Sequence, residues 1–464
     1  MDCNNINELP DYLLTQMLSY LPTKDSVRTS VLSKRWERLW LMVPVIDLNV
    51  NHFPLNGQAF ASFIDKFLEF NASENLSINH KSRLQKFKIK YNEFINYGDR
   101  LGELLGTMVD RKVEHLDVEA DMMPSIRDFM PHDIYKSKTL VFLKLVRVGL
   151  VNPRLVVSLP CLKTMHLENN FYCVDGPLVM ENLISDCPVL EDLTFVRTID
   201  RNNVEFLVFL RVRSRSLKRF RYTFANDRGG TDFSVEIDAP RLEFMSFKDN
   251  QSDRIVVNNL SSLLTIDMDT KFNVEIGGSP LRLGSFNKRN TIRHFLTSIS
   301  SVRHMIISKR TMEVLDRYLK LAPLPQFGNL YRLQAAFPNS LLQLLPVFLE
   351  NFQNLKSLIL ELSFSTHPVQ IKLRYVPHCL SSTLERVEIK GMIIEEETWK
   401  TLAGYFLENS AVLKKLILHF KDSVISNHDV DIFKEIRTFT KWSPNCQIII
   451  HYNLIAVQCM TLLL

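Results

Sequence analysis

Apolar residues in the first fifty positions recur at the three- and four-residue spacing of helices. The first helical group comprises Leu13, Leu14, Met17, Leu18 and Leu21. Pro10 stands where this helix begins, a position that tolerates a residue without an N–H, and Pro22 follows its end. The pattern predicts one amphipathic helix between the two prolines.

Two further short helices are predicted before residue 45. Thr23 is placed to cap the second helix and Ser33 the third. The apolar residues of these helices are Val27, Val31, Leu32, Trp36, Leu39 and Trp40. A bundle of three such helices has too small a core to be very stable alone. Some of its large apolar side chains remain exposed, which is typical of a docking surface.

From about residue 80 the period changes: an apolar residue is followed by others at i+3 and i+5. Thirteen such triples begin at intervals that mostly fall between 21 and 29 residues, with one interval of 39 around Gly277 and Gly278. Their first residues are Leu84, Val113, Leu140, Leu162, Leu190, Leu217, Leu242, Leu263, Val302, Leu330, Leu355, Leu384 and Leu413. The long interval predicts an extra loop or a degenerate repeat.

This recurrence is typical of a leucine-rich repeat solenoid. The residues at i+3 and i+5 point the same way on a short strand, so both enter the core. One repeat cannot bury its apolar face alone, and stacking of neighbours completes the core. The sequence therefore predicts an α/β protein in which short parallel strands alternate with helical or irregular returns.

Alternation along the strands also predicts which side chains face outward, at i+2, i+4 and i+6. The candidates for contact with another protein are Lys86, Lys88, His115, Asp117, Lys144, His166, Asp192, Arg219, Arg221, Phe244 and Asp267. Their mixed charge suits a protein partner better than a polyanion. Our hypothesis is that this face binds another protein; the alternative is that much of it is merely solvated.

The N-terminal residues resemble an F-box. The resemblance starts with Ile6-Asn7-Glu8-Leu9-Pro10-Asp11-Tyr12-Leu13-Leu14 and continues from Leu21-Pro22 to Leu32-Ser33-Lys34-Arg35-Trp36. The trailing Leu39-Trp40 and Pro44 are most similar to the plant type.

That resemblance implies docking on the Skp-type linker subunit of a cullin–RING ubiquitin ligase. The residues expected to form or support the docking surface are Leu9, Pro10, Leu13, Leu14, Leu18, Leu21, Pro22, Val31, Leu32, Trp36 and Trp40. For Leu14, Val27, Trp36 and Leu39, packing inside the bundle is an equally good interpretation.

A second resemblance, to the FBD domain of many plant F-box proteins, begins at Val376-Pro377 and runs through Val387-Glu388-Ile389-Lys390-Gly391 to about Leu416. The sequence departs from that family by lacking a Trp shortly before Val376. We therefore divide the chain into an F-box (1–50), a helical connector (51–79), leucine-rich repeats (80–365), an FBD domain (366–440) and a terminal strand and tail (441–464). Residues 447–450 are predicted to form the last strand.

Composition narrows the class of protein. With 46% hydrophobic and 23% charged residues, the 464-residue chain has the composition of a folded protein. Its net charge of +5 is too small to favour nucleic acid as a partner. It has neither a secretory signal nor an apolar run of about 18 residues, so we expect no secretion and no membrane partner. The seven Cys show no CxxC spacing, which favours reduced thiols in the nucleus, the cytoplasm or both.

No motif of a nucleophile, phosphate loop, dinucleotide site or zinc set is present, so neither catalysis nor a cofactor nor a metal is expected. The strongest basic cluster, Arg211 to Arg221, is read either as an anion or phosphopeptide site or as the polar side of a repeat junction. We hypothesise a substrate-recognition adaptor that binds the Skp-type linker and cullin complex and an unknown protein substrate. The alternatives are a binding scaffold that meets the linker without cullin-dependent turnover and an enzyme on a repeat scaffold.

Overall fold

The computed structural model describes residues 6–53, 58–72, 84–92, 100–121, 130–150, 157–172, 176–198, 208–225, 231–250, 252–274, 286–363, 371–392, 398–420, 436, 438–452 and 462–463. They form two compact units. The first comprises residues 1–221 and 235–240, and the second comprises residues 222–234 and 241–464.

Helices and strands alternate along most of the described chain. The helices are α1 (Asp11–Leu18), α2 (Thr23–Arg28), α3 (Trp36–Leu39), α4 (Gln58–Ala72), α5 (Arg100–Asp110), α6 (Gly176–Ser185), α7 (Phe286–Ser298), α8 (Lys309–Leu319), α9 (Leu345–Leu349), α10 (His378–Ser382) and α11 (Thr398–Asn409). The strands are β1 (Val45–Asn49), β2 (Lys86–Tyr91), β3 (His115–Ala120), β4 (Phe142–Val146), β5 (Gly149–Leu150), β6 (Thr164–Glu168), β7 (Phe171–Tyr172), β8 (Asp192–Thr198), β9 (Phe209–Arg213), β10 (Arg219–Ala225), β11 (Thr231–Asp238), β12 (Phe244–Asp249), β13 (Ser252–Asn258), β14 (Thr265–Thr270), β15 (His304–Ile307), β16 (Arg332–Pro338), β17 (Ser357–Ser363), β18 (Arg386–Met392), β19 (Lys415–Phe420), β20 (Gln447–Tyr452) and β21 (Leu462–Leu463).

The first unit places three short helices before a parallel sheet. Strands β1, β2, β3, β4, β6 and β8 pair in that order and in register. The register aligns the i+3 residues of successive repeats, and these side chains are buried in one row: Phe87, Leu116, Leu143, Met165 and Leu193. Because every repeat contributes to the same row, the core is continuous from one repeat to the next.

The second unit repeats this arrangement. Strands β12, β14, β15, β16, β17, β18, β19 and β20 pair in parallel, and β21 adds an antiparallel strand beside β20. The buried row runs through Met245, Ile266, Met305, Leu333, Leu358, Val387, Leu416 and Ile448. The predicted α/β repeat solenoid is therefore confirmed, and each of the thirteen triples coincides with a strand.

Several local predictions need correction. Strand β1 was not predicted, although Ile46 and Leu48 have strand spacing and are buried. Val146 and Ser246 occupy outward positions in the alternation but are only 3% and 8% exposed. The interval around Gly277 and Gly278 lies outside the described residues.

A bulge interrupts the pairing of β18 with β19, between Ile389 and Met392. Gly391, inside the bulge, has a φ of 79°, a left-handed value that favours glycine. A Cβ there would lie 2.7 Å from the carbonyl oxygen of Leu362. The glycine of the FBD-like motif is therefore required by the backbone.

Candidate functional site

The three N-terminal helices pack around a very small core. Its buried members are Leu14, Leu18, Trp36, Leu39 and Val43, and Leu9 and Met42 pack against them partly buried. A core of this size can hold only a few large side chains, so the other apolar residues of the bundle stay at its surface.

The Arg35-Trp36 pair ties the N-terminal segment to the third helix. Arg35 donates hydrogen bonds to the carbonyl oxygens of Asn7 and Leu9, and its Nε lies 2.8 Å from a carboxylate oxygen of Asp11. The Nε1 of Trp36 donates to the side-chain oxygen of Asn7 over 2.8 Å. This clamp closes the bundle around Leu9, and sequence reasoning missed the role of Arg35.

The predicted capping roles of Thr23 and Ser33 are wrong. Pro22 holds the cap position of α2 without a side-chain hydrogen bond, and Arg35 precedes α3 in the same way. The Thr23 hydroxyl instead accepts a hydrogen bond of 2.8 Å from the backbone N–H of Asp47. That bond joins α2 to the first strand of the sheet, so the residue serves the junction rather than its own helix.

The structure divides the expected docking residues by exposure. Leu14, Leu18 and Trp36 are buried, and Leu9, Leu13 and Trp40 are half-buried. The exposed members are Pro10, Leu21, Pro22, Val31 and Leu32. The buried residues support the bundle, whereas the exposed residues, and in part the half-buried ones, present apolar surface.

Exposed apolar side chains are concentrated in this bundle. Seven of the seventeen exposed large apolar residues in the described part of the chain lie between residues 6 and 32. They are Ile6, Tyr12, Met17, Tyr20, Leu21, Val31 and Leu32. Val31 is 87% exposed and Tyr20 81%. Ile6, Tyr12, Met17 and Tyr20 were not among the predicted docking residues, and their helical or terminal positions alone could not distinguish them from core residues.

Trp40 faces the connector helix. Its ring centroid lies 5.6 Å from that of Phe63 and 6.1 Å from that of Phe67, both in α4. A cavity of about 360 Å³ opens here. Its walls are Val27, Glu37, Arg38, Trp40, Leu41, Phe63, Lys66 and Phe67.

Two arginines strengthen the junction between the bundle and the repeats. Arg111 is 5% exposed and donates a hydrogen bond to the carbonyl oxygen of Leu41, and burial lowers the pKa of Arg111 to about 10. Arg100, at the start of α5, contacts Asp65 of α4 over 2.7 Å. The N–H groups of Gln85 and Lys86 donate to the carbonyl oxygen of Pro44. The bundle is thus fixed to the first repeats within the first unit.

The outward face of the first unit is a ladder of opposite charges. One row, in strand register, is Asp47, Lys88, Asp117, Lys144 and His166. Within it, Lys88 lies 3.9 Å from Asp47, and Lys144 lies 3.6 Å from Asp117. The next row places Lys86, His115, Phe142, Thr164 and Asp192 side by side. The structure therefore brings the predicted face residues of these repeats together on one surface.

Several members of this face interact closely. His166 Nε2 lies 2.9 Å from a carboxylate oxygen of Glu168, and the rings of His115 and Phe142 stack at 5.7 Å. Arg219 and Arg221 both contact Asp192, over 2.8 and 2.7 Å. Much of the charge on the first face is thus neutralised across neighbouring strands.

The basic cluster of residues 211–221 is also internally paired. Arg211 contacts Glu181 and Glu236, each over 2.8 Å, and Arg213 contacts the same two carboxylates. Hydrogen bonds to Glu236 and Glu181 raise the pKa of Arg211. These contacts favour the structural interpretation of the cluster over a phosphopeptide site.

On the second unit, Phe244 and Asp267 lie on the outward side of β12 and β14. Asp267 accepts a hydrogen bond of 2.9 Å from the Ser246 hydroxyl, and Lys248 is 3.9 Å away. Farther along the row, Glu388 is 9% exposed and contacts Arg386 and His419, each at 3.0 Å. This buried carboxylate was not predicted, because the sequence does not reveal which charges converge on it.

Three of the thiols in the described residues are buried: Cys187, Cys379 and Cys446. Burial raises the pKa of Cys187 and of Cys379 to about 12, so neither is a thiolate at neutral pH. No set of three or more His, Cys, Asp or Glu side chains in the described ranges is placed to hold a metal ion. None of the described helices has the length and apolar character needed to cross a membrane.

Three family models match the chain. The F-box domain model matches residues 6–47, the FBD model matches residues 371–418, and the model described as FBD-associated F-box protein At5g56370, LRR repeats, matches residues 101–334. The two resemblances stated from the sequence are confirmed.

Similar proteins of Arabidopsis thaliana extend over nearly the whole chain. F-box/FBD/LRR-repeat protein At2g26030 is 58% identical over 97% of this chain and 100% of its own length. Putative F-box/FBD/LRR-repeat protein At5g44950 is 56% identical over 97% of this chain and 100% of its own length. FBD-associated F-box protein At5g27750 is 44% identical over 96% of this chain and 98% of its own length.

Proposed function

This chain belongs to the family of F-box/FBD/LRR-repeat proteins, and we propose that it is the substrate-recognition subunit of a Skp–cullin–F-box ubiquitin ligase. F-box domains in general bind Skp-type linker subunits, and proteins that carry them act as adaptors. In this role the N-terminal bundle docks on the linker, and the repeats hold a target protein.

The observation that carries the proposal is the concentration of exposed apolar side chains between residues 6 and 32. Water-exposed leucine and valine side chains contribute about 1.5–3 kcal/mol each when a partner buries them fully. Val31 and Leu32 are 87% and 64% exposed, so burial by a partner would release most of this free energy. The small bundle core leaves them free for intermolecular burial.

The fixed junction supports the second half of the proposal. A target held on the repeats of the first unit keeps a defined position relative to the bundle, because β1 follows the bundle directly and pairs with β2. Ubiquitin transfer then depends on proximity: the adaptor raises the effective concentration of target lysines near the conjugating enzyme. The chain itself supplies no reacting group in this scheme.

The test of docking is binding of the purified chain to a plant Skp-type linker, compared with the double variant Val31→Asp/Leu32→Asp. We expect the variant to lose at least about 100-fold in affinity, since two charges enter an apolar interface. The matched control is Leu178→Asp/Val208→Asp, which alters two exposed apolar residues of the repeats. No binding by the folded wild-type protein, or equal binding by both variants, contradicts the proposal.

The ligase role is separated from a scaffold role by adding the cullin complex. A reconstituted assembly of this chain, linker and cullin–RING complex, supplied with ubiquitin, ATP and the activating and conjugating enzymes, should transfer ubiquitin to a protein fused to the chain's N terminus. The assembly with the Val31→Asp/Leu32→Asp variant should not. Linker binding without cullin association would instead support the scaffold.

A further inference from the structure

The second unit carries a concentration of cations where its strands begin. Six exposed basic side chains lie at or just before the first residue of β15 to β19. We call this set the basic belt: Arg303, Arg332, Lys356, Arg386, Lys414 and Lys415. Strand register places His304, Arg332, Ser357, Arg386 and Lys415 in one row across five neighbouring strands. At about 4.8 Å per strand the row is about 19 Å long.

Intramolecular carboxylates neutralise only part of the belt. Glu385 contacts Lys356 and Lys414, over 3.7 and 2.6 Å, and Glu388 contacts Arg386. Arg303, Arg332 and Lys415 have no carboxylate within 4 Å among the described residues. The belt therefore has three cations available for an anionic partner.

An aromatic side chain lies within the belt. Tyr331 is 49% exposed, and its ring centroid is 5.6 Å from the ammonium of Lys356 and 6.4 Å from the ring of His304. Exposed aromatic rings beside arginines are the side chains that most often anchor protein interfaces. The belt thus combines positive charge with one apolar anchor.

The corresponding positions of the first unit differ. The first residues of β2, β3, β4, β6 and β8 are Lys86, His115, Phe142, Thr164 and Asp192. Counted like the belt, with the preceding residue included, these five strands have two lysines, Lys86 and Lys163, and three carboxylates, Glu114, Glu191 and Asp192. The accumulation of cations is therefore a property of β15 to β19 and is not imposed by the repeat architecture.

We propose that the basic belt binds a short acidic segment of the target protein, rich in Asp or Glu and carrying an apolar residue for Tyr331. This inference rests on the proposed function and names the chemistry of the substrate. Three available cations match two or three carboxylates. A nucleic acid would need several more phosphate contacts for appreciable affinity at physiological salt. The belt already holds one carboxylate, that of Glu385, between two lysines.

An extended segment rises about 3.3 Å per residue, so about six residues span the row. The probe is a fluorescent peptide of about ten residues that alternates Glu with Leu and Tyr, and its partner probe replaces each Glu with Gln. A single-stranded oligonucleotide of similar length tests nucleic acid. Fluorescence anisotropy at low salt reports binding to the full chain.

The variant Arg332→Glu/Lys415→Glu should weaken binding of the acidic peptide at least about tenfold, because charge reversal turns attraction into repulsion. The control Lys309→Glu/Arg310→Glu makes the same change of charge in the exposed first turn of α8 and should stay within about threefold of wild type. The Gln peptide should bind at least about tenfold more weakly than the Glu peptide.

Equal binding of the peptide by both variants, no binding by wild type, or tighter belt-dependent binding of the oligonucleotide would overturn the inference. Linker binding is measured on the same preparations. The Arg332→Glu/Lys415→Glu variant should bind the linker as wild type does. If no preparation bound the linker, the proposed function would be contradicted. The peptide measurement would still show whether the basic belt binds an acidic segment.

Discussion

Each unit places a carboxylate among cations on its outward face, and the two carboxylates have opposite pKa shifts. Burial raises the pKa of Asp117, and the positive charges of Lys144 and Lys88 do not offset it. Burial would also raise the pKa of Glu388, but the hydrogen bond from Arg386 and the charges of Lys390 and His419 lower it overall.

The difference between the two sites is one of contact geometry. Lys144 Nζ lies 3.6 Å from Oδ1 of Asp117, and that oxygen has no hydrogen-bond partner among the described residues. Glu388 receives a hydrogen bond of 3.0 Å from Arg386, and His419 Nε2 lies 3.0 Å from its other oxygen. Each carboxylate has a lysine at 3.6 Å, but Glu388 also receives the short hydrogen bond from a guanidinium, and charge-assisted hydrogen bonds are the stronger contacts.

The largest effect should come from Glu388→Gln, which removes the charge on which these cations converge. We expect the unfolding free energy at pH 7 to fall by about 1–2 kcal/mol, the value for charged hydrogen bonds reduced for the exposure of the partners. Because the folded pKa is lowered, this contribution is present above the ordinary pKa of 4.5 and is lost as pH falls below it. Urea unfolding at pH 7 and pH 3.5 measures both values.

The control for that variant is Glu361→Gln, on the same face of the neighbouring strand. Glu361 accepts one hydrogen bond, from Gln334 over 2.8 Å, and an amide oxygen can still accept it. The geometric explanation would be contradicted if Glu361→Gln lowered the unfolding free energy as much as Glu388→Gln does. It would also be contradicted if the effect of Glu388→Gln did not depend on pH.

Asp192 separates two explanations of how strongly cations stabilise a carboxylate: the contact distance and the unit to which the carboxylate belongs. It lies in the first unit, as Asp117 does, but its contacts with cations are short. Its carboxylate is 13% exposed and meets Arg219 and Arg221 at 2.8 and 2.7 Å. We expect Asp192→Asn to lower the unfolding free energy by about 1 kcal/mol at low salt and by less in high salt, because both arginines are well exposed. A neutral result at low salt would mean that distance alone is not decisive.

The repeated strands could be predicted because their signal is one of spacing. The i+3 and i+5 residues, such as Phe87 and Ile89, must face one core, and that rule needs no knowledge of neighbouring chain. Strand β1 was missed although Val43, Ile46 and Leu48 form a full triple. This triple directly follows the helical pattern and begins 41 residues before the next one, at Leu84, so its spacing did not mark it as a repeat. Its strand conformation depends on pairing with β2, which is a tertiary contact.

The candidate surfaces were less predictable, for a different physical reason. Periodicity assigned Lys88, Asp117 and Lys144 to an outward face, but it could not tell which neighbours would meet. Glu388 is surrounded by groups that come from its own strand and from β19, so its environment exists only after folding. Which apolar residues of the N-terminal bundle are exposed likewise depends on how many side chains its core can hold. Leu14 and Val31 are both apolar, yet Leu14 is buried and Val31 is exposed.

The titration of His419, which contacts Glu388, should make the stability of the protein depend on pH. Burial lowers the pKa of His419 below 6.5, the nearby His451 and Lys390 act in the same direction, and Glu388 opposes them. The unfolded chain then binds the proton more readily, so stability should decline as pH falls through 6.5. His419→Gln should reduce that decline between pH 7.5 and pH 5.5, measured by urea unfolding. His52→Gln, at an exposed position, is the control, and equal slopes for the two variants would exclude His419 as a source.

The smallest effect, and the one whose sign matters most, should come from Asp117→Asn. A raised folded pKa means that ionised Asp117 costs stability at neutral pH, and this cost vanishes as pH falls below the ordinary pKa of 3.8. The neutral amide should therefore leave the unfolding free energy at pH 7 within about 0.5 kcal/mol of wild type, on the stabilising side. The two proteins should then become indistinguishable near pH 3. Asp47→Asn, at the exposed end of the same row, is the control and should be neutral at both pH values. A clear loss of stability in Asp117→Asn at pH 7 would mean that Lys88 and Lys144 stabilise this carboxylate as effectively as Arg386 and Lys390 stabilise Glu388, and the contrast between the two faces would fail.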